Sequence, residues 1–100
     1  MIIREKPSQP LLEDFVKVVV DIERRIASAG CDLHIDCADE LIADGSEGRN
    51  LWGANVYPPE KNIDFVSLIN IRPADDNRSM EIQLPEVRAN VEAIIRELLF

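Results

Sequence analysis

Two stretches of this chain carry side chains that could do chemistry. Between Leu51 and Ser79, the residues Asn55, Ser67, Asn70, Arg72, Asn77, Arg78 and Ser79 interrupt segments that otherwise read as buried strand. A polar side chain inside a β-branched run costs stability unless it finds partners. An arginine fork matches two oxygens of a carboxylate or phosphate at once, and amides and hydroxyls beside it add further donors. Gathered at one end of a sheet, Asn55, Asn70, Arg72, Asn77, Arg78 and Ser79 predict a site for a small anionic ligand or a protein segment. The architectural alternative has the asparagines bonding backbone, Asn77-Arg78-Ser79 fixing a loop, and Arg72 pairing with Asp75 or Asp76.

The second stretch runs from Cys31 to Cys37. His34 and Asp36 fall on one face of an alternating segment, and a carboxylate beside an imidazole can orient it for acid–base work. They are the catalytic candidates of a small enzyme; as plain structure, they make a solvated face with Asp36 capping a helix. Cys31-x-x-His34-x-x-Cys37 also offers zinc-type ligands, but only three, and His34 is the sole histidine. A closed zinc site takes four, so no metal and no cofactor is expected, and the cysteines read as apolar filler. Glycine-flanked serine, phosphate-loop and His-Glu-x-x-His motifs are missing.

One hundred residues fit a single domain spanning 1–100, with 46% hydrophobic and 30% charged residues. The net charge of −8 argues against nucleic acid and anionic membranes as partners, since both require a basic footprint. No apolar run reaches the roughly 18 residues of a membrane span. The first residues lack the apolar centre of a secretion signal, so the expectation is a cytoplasmic protein with two free thiols.

These side chains need positioning elements. Leu11, Leu12, Phe15, Val18, Val19, Ile22, Ile26 and Ala29 recur at helical spacing. They predict a long helix, with Pro10 in its first turn and Gly30 at its end. A short strand at Ile2–Ile3 precedes it, and a strand over Cys31–Asp36 follows. A short helix then runs from Cys37 to Asp44, closed by Gly45. Strands over Leu51–Tyr57 and Ile63–Arg72 flank a loop at Pro58–Asn62, and Glu81–Leu84 forms a last short strand. Pro85 opens a terminal helix with Val87, Val91, Ile94, Ile95 and Leu98 as its stripe. The fold class is therefore α+β, in the order β-α-β-α-β-β-β-α. A mostly antiparallel sheet containing a β-meander carries two main helices and one short helix on one face. Ile63, Phe65, Ile69 and Ile71 on one side of a strand, with Val66 and Leu68 on the other, exceed what helices on one face can cover, so a homodimer is expected.

Leu33-His34-x-Asp36, Asp44-Gly45-Ser46, Leu51-Trp52-Gly53-x-Asn55-x-Tyr57-Pro58, Ser67-x-Ile69-Asn70-Ile71-Arg72-Pro73 and Asn77-Arg78-Ser79 resemble a bacterial family of small proteins of unknown function. The resemblance covers nearly the whole chain, including Val19-Val20-Asp21-Ile22-Glu23. It implies the architecture and the location of a site, but no activity. In the family pattern a glycine precedes Asn-Arg-Ser where this chain has Asp76, and neither Cys31 nor Cys37 belongs to the pattern. Three functions follow as expectations: anion or peptide binding near Arg72 and Arg78, an enzyme built on His34 and Asp36, and an assembly subunit without a ligand.

Overall fold

The run Val16, Val18, Val19, Val20 decides the first half of the chain, and it decides for strand. β-Branched side chains are stiff at χ1 and pack well on a pleated surface. In the computed structural model, which describes residues 1–9, 11 and 13–100, the expected first helix is instead a β-hairpin. Strand β2 (Val16–Asp21) turns at Ile22–Arg25 into β3 (Ile26–Ala29), and β1 (Ile2–Ile3) pairs with β3 on the outside. Pro10 and Leu12, counted in the predicted helix, lie outside the described residues. The turn is set by Asp21, whose Oδ1 accepts the amides of Glu23 and Arg24 at 2.9 and 3.0 Å. Arg25 completes it in the left-handed region at φ 55°.

Helix α1 (His34–Ala43) starts three residues earlier than predicted, and Cys31–Asp36 forms no strand. Its N-cap is Leu33, which offers no capping side chain. With His34 in the first turn, Cys37 comes within disulfide reach of Cys31, their Cα atoms 5.7 Å apart. The two are bonded, so the expected free thiols are corrected to a disulfide. Strand β4 (Leu51–Tyr57) stands where the sequence puts it. The predicted strand over Ile63–Arg72 keeps only β5 (Asn62–Asp64); single bridges at Val66 and Arg72 and a 3-10 turn at Leu68–Asn70 take up its remainder, and a second 3-10 turn follows at Pro73–Asp75. Glu81–Leu84 contributes a single bridge, Glu81 to Val66. Helix α2 (Pro85–Leu99) forms as predicted, with Pro85 in its first turn.

The result is an α+β fold with one five-stranded antiparallel sheet, in the order β1-β3-β2-β4-β5. The helices do not share a face. Val18, Val20, Ala27, Trp52, Ala54 and Val56 pack against α2 through Val91, Ile94, Ile95 and Leu98. Val19, Ile26 and Leu51 pack against α1 through Cys37, Ala38 and Leu41. Strands covered on both sides read as continuous apolar runs, which explains the valines. Of the patch expected at a dimer seam, Ile63 and Phe65 are covered within the chain on the α2 side, Ile69 packs partly buried on the α1 side, and Ile71 is exposed.

Behind the hairpin turn lies a polar cluster. The fully buried Asp21 accepts Ser46 Oγ at 2.6 Å, Arg24 reaches Ser46 Oγ at 2.8 Å, and Asp44 binds both Arg4 and Arg24. These two guanidinium groups hold the Asp44 carboxyl below the usual carboxylate range. Replacing Asp21 leaves two turn amides and a buried hydroxyl without an acceptor. Asp21→Ala is therefore expected to lower the unfolding free energy by about 2–4 kcal/mol, measured by urea titration. A loss under about 0.5 kcal/mol, the scale of a surface substitution, would show that the turn closes without it.

Candidate functional site

The side chains predicted to bind a ligand are arranged along the outer edge of β4. Tyr57, Val56 and Asn55 are paired with Asn62, Ile63 and Asp64 of β5, which ends there. At Gly53 the missing strand is replaced by one carboxamide: Asn70 Oδ1 accepts Gly53 N–H at 2.8 Å, and Asn70 Nδ2 donates to Gly53 O at 2.9 Å. The same Nδ2 reaches Met80 O at 3.0 Å. Nearer the start of the strand, Arg72 Nη2 donates to Leu51 O. Arg72 Nη1 reaches the carbonyls of Gly48 and Arg49, and its guanidinium lies 3.6 Å above the Trp52 ring. Only 18% of the Arg72 side chain is exposed. Burial presses its pKa below the usual arginine range, while Asp75 at 4.0 Å acts in the opposite direction.

Asn77 organises the loop that delivers these groups. It is fully buried; its Nδ2 serves the carbonyls of Asn70, Ser79 and Glu81, and its Oδ1 accepts Gln83 N–H at 2.8 Å. Asp76 takes φ 64°, a left-handed conformation that favours glycine. Arg78 points outward, 68% exposed and paired with Asp76 at 2.9 Å, and Ser79 Oγ accepts the Glu81 amide. Asn70 and Asn77 thus spend their hydrogen-bonding capacity inside the fold. Arg72 engages backbone carbonyls through Nη1 and Nη2 while its buried Nε has no partner among the described residues, and Arg78 does not converge with them.

A different set of residues surrounds a groove of about 450 Å³ beside the N-terminal end of α1. Among the described residues, eight large apolar side chains are exposed, and five of them line this groove: Phe15, Leu33, Ile35, Leu68 and Met80. Clustering of this kind, unlike scattered exposure, marks an interaction surface. The floor is Asn55, Ser67 and His34, with Lys17 at one side. Gly53 lets the parts meet: a Cβ there would lie 2.6 Å from Ser67 Cβ and 3.2 Å from His34 Cδ2. From its neighbours in the chain, Gly53 reads as relief of crowding near Trp52 or as a bulge. The close approach it permits is to Ser67 and His34.

His34 Nε2 lies 2.8 Å from Ala54 O. A carbonyl only accepts, so Nε2 carries the proton, and in the neutral ring Nδ1 keeps a lone pair. Among the described residues Nδ1 has no hydrogen-bond partner, and it is not among the buried orphaned atoms, which places it at the groove surface. Burial lowers the His34 pKa most; the Ala54 bond acts against it, Lys17 adds to it, and Asn55 opposes it. Asn55 Nδ2 donates to Val66 O at 3.3 Å, which fixes the amide orientation, and its buried Oδ1 has no partner. Asp36 sits two residues from His34 on the same helix, exposed, where side chains do not face one another. The orienting partner of His34 is the Ala54 carbonyl, not Asp36. Among the described residues there is no cluster of three or more metal-ligating side chains.

Fold and groove define a small α+β protein with one helix on each face of an antiparallel sheet. The chain belongs to the family described as "Protein of unknown function (DUF5674)", which matches residues 3–98. Neither a curated protein nor a solved structure matches it. The walls of the groove escape a reading of the sequence because Phe15, Leu33, Leu68 and Met80 come from four separated segments, with no common periodicity to reveal them.

Two measurements separate the arrangements at β4. Asn70→Ala strands Gly53 N–H and two carbonyls in the interior and is expected to cost about 3–5 kcal/mol, whereas Arg78→Ala should cost under about 0.5 kcal/mol in urea titrations. Equal losses would contradict a buried, bridging Asn70 beside an outward-facing Arg78. His34, as the single histidine, gives an unambiguous reporter: its imidazole resonances should titrate below about 6.5, the value of a free side chain. The folded pKa is lowered, so the unfolded chain binds more protons, and this stability, present above about pH 6.5, falls as pH drops toward the folded pKa. A midpoint at or above the free value would mean the ring is not buried as described.

Proposed function

We propose that this protein is a binding protein for a small apolar carboxylate, held in the groove over His34 rather than at Arg72 and Arg78. The observation carrying the reading is the groove itself, where five exposed apolar side chains converge on an imidazole with a free nitrogen. Its volume falls in the usual range for small-molecule sites, mostly apolar with few placed polar groups. Among the described residues, the Lys17 ammonium has no carboxylate within ion-pair distance, so it is available to an anionic head group. An apolar tail then lies along Leu33, Ile35, Leu68 and Met80, and the carboxylate sits between Lys17 and His34. A bound anion raises the His34 pKa and favours Nδ1–H as a second donor, so binding takes up protons and tightens as pH falls toward the lowered His34 pKa.

A second reading, catalysis, has one observation in its favour. A histidine held neutral, oriented by a carbonyl and presenting Nδ1 to a groove has the form of a general base. Ser67 lies beside it in the groove lining, but the residue is buried and its Oγ is engaged with the Ile69 amide, so binding is the stronger reading. Of the patch expected at a dimer seam, Ile63 and Phe65 are buried within the chain whereas Ile71 is exposed.

The test is a thermal-shift and NMR titration with hexanoate, octanoate and decanoate, beside octanamide and inorganic phosphate. Protection should increase with carboxylate length, move the His34 resonances, and fall about tenfold or more in Lys17→Met and Leu68→Glu. Protection by phosphate that disappears in Arg78→Ala would return the site to the Asp76–Ser79 loop. Equal protection by octanamide would remove the carboxylate from the reading.

A further inference from the structure

The segment that walls the groove is held by a single covalent bond, and we propose that reduction of Cys31–Cys37 opens the groove. The proposal rests on the groove being the ligand site and adds its control. Leu33, His34 and Ile35 lie inside the loop that the disulfide closes, which spans six positions of chain. They belong to the least supported turn of α1. The N-cap Leu33 contributes no side-chain bond; beside the helix's own backbone bonds, the Asp36 amide reaches Leu33 O at 3.1 Å and the His34 ring bonds Ala54 O. A helix end without a capping side chain leaves its first amides to water and frays readily.

The remainder of α1 does not share this dependence. Cys37, Ala38 and Leu41 are buried against Val19, Ile26 and Leu51, and a reduced Cys37 remains a small apolar side chain in the same pocket. Breaking the bond therefore frees residues 31–36 and leaves the helix body docked. The effect is local, and it falls on the residues that position the imidazole.

The sulfurs differ in access. Cys31 is half-buried, whereas Cys37 is fully buried, so an external thiolate reaches the Cys31 sulfur. The reductant is a dithiol. Its thiolate forms a mixed disulfide with Cys31 while the Cys31–Cys37 bond breaks, and Cys37 departs as a thiolate that takes up a proton. The second thiol of the reductant then displaces Cys31, which is protonated in turn. The reductant ends as an internal disulfide, and the protein gains two electrons and two protons. The oxidised protein presents a fixed His34 and a formed groove; the reduced protein has a frayed first turn and one groove wall displaced.

Two readouts test this, one without any ligand. Amide hydrogen exchange is measured on the whole protein before and after dithiothreitol, with the redox state confirmed by mass. Exchange over residues 32–36 should rise about tenfold or more on reduction, with Ala38–Ala43 and α2 unchanged. Octanoate binding should weaken about tenfold in the same sample. Cys31→Ser should show the reduced behaviour under oxidising conditions and no response to dithiothreitol. Unchanged exchange and unchanged octanoate affinity after complete reduction would overturn the proposal, as would loss of protection throughout α1, which would make the bond a general structural staple. Octanoate failing to bind either form while exchange over 32–36 still rises would instead overturn the ligand reading on which the control is built.

Discussion

The pairing of one carboxamide with the backbone N–H and C=O of one residue governs this fold. Strand β4 runs through the centre of the core and needs partners along both edges, yet β5 supplies them only as far as Asn55. Beyond that point Gly53 would hold a buried N–H and a buried C=O with nothing to meet them, a state that proteins rarely tolerate. Asn70 provides a donor and an acceptor in the geometry of a strand residue. To bring it there, the chain must turn sharply at Ser67–Asn70, and that turn must lie against the sheet. A glycine at position 53 is what allows the contact.

Much else follows from that docking. The 67–70 turn becomes one wall of the groove, and the first turn of α1 becomes the other. Asn77 holds the descending loop in place, and Arg72 completes the β4 edge while stacking on Trp52. The polar residues that look most like a binding site in the linear sequence are largely the fastening of this loop. The groove beside it sets the His34 imidazole and Lys17 among apolar side chains.

The second half of the chain is the more legible. Leu51–Tyr57 and the helix from Pro85 can be read because each has an unambiguous start signal and pattern. The first half misleads for a physical reason. A strand buried on both faces loses its period of two, and Val18, Val19, Ile22 and Ile26 then fit helical spacing by coincidence. The β-branched content of Val16–Val20 is the better guide. The turn itself is hidden because Arg25, not glycine, occupies the left-handed position. Site residues are legible as costly polar insertions, but their partners are backbone groups far along the chain, which a linear pattern does not display. The disulfide is hidden behind the same misreading, since a strand over Cys31–Asp36 separates two sulfurs that a helical turn brings together.

The side-chain finish on β4 bears on how copies of this protein behave at high concentration. A strand edge with a row of free amides and carbonyls is a template for another chain, and aggregation commonly begins there. Here the outermost strands β1 and β5 are two and three residues long, and the stretch of β4 that β5 leaves uncovered is capped by a carboxamide and a guanidinium. Side chains can satisfy a peptide edge without extending it, so the ladder stops instead of propagating. A sheet rich in valine thereby offers little free edge for another chain to extend, and the net charge of −8 adds colloidal repulsion to the same end.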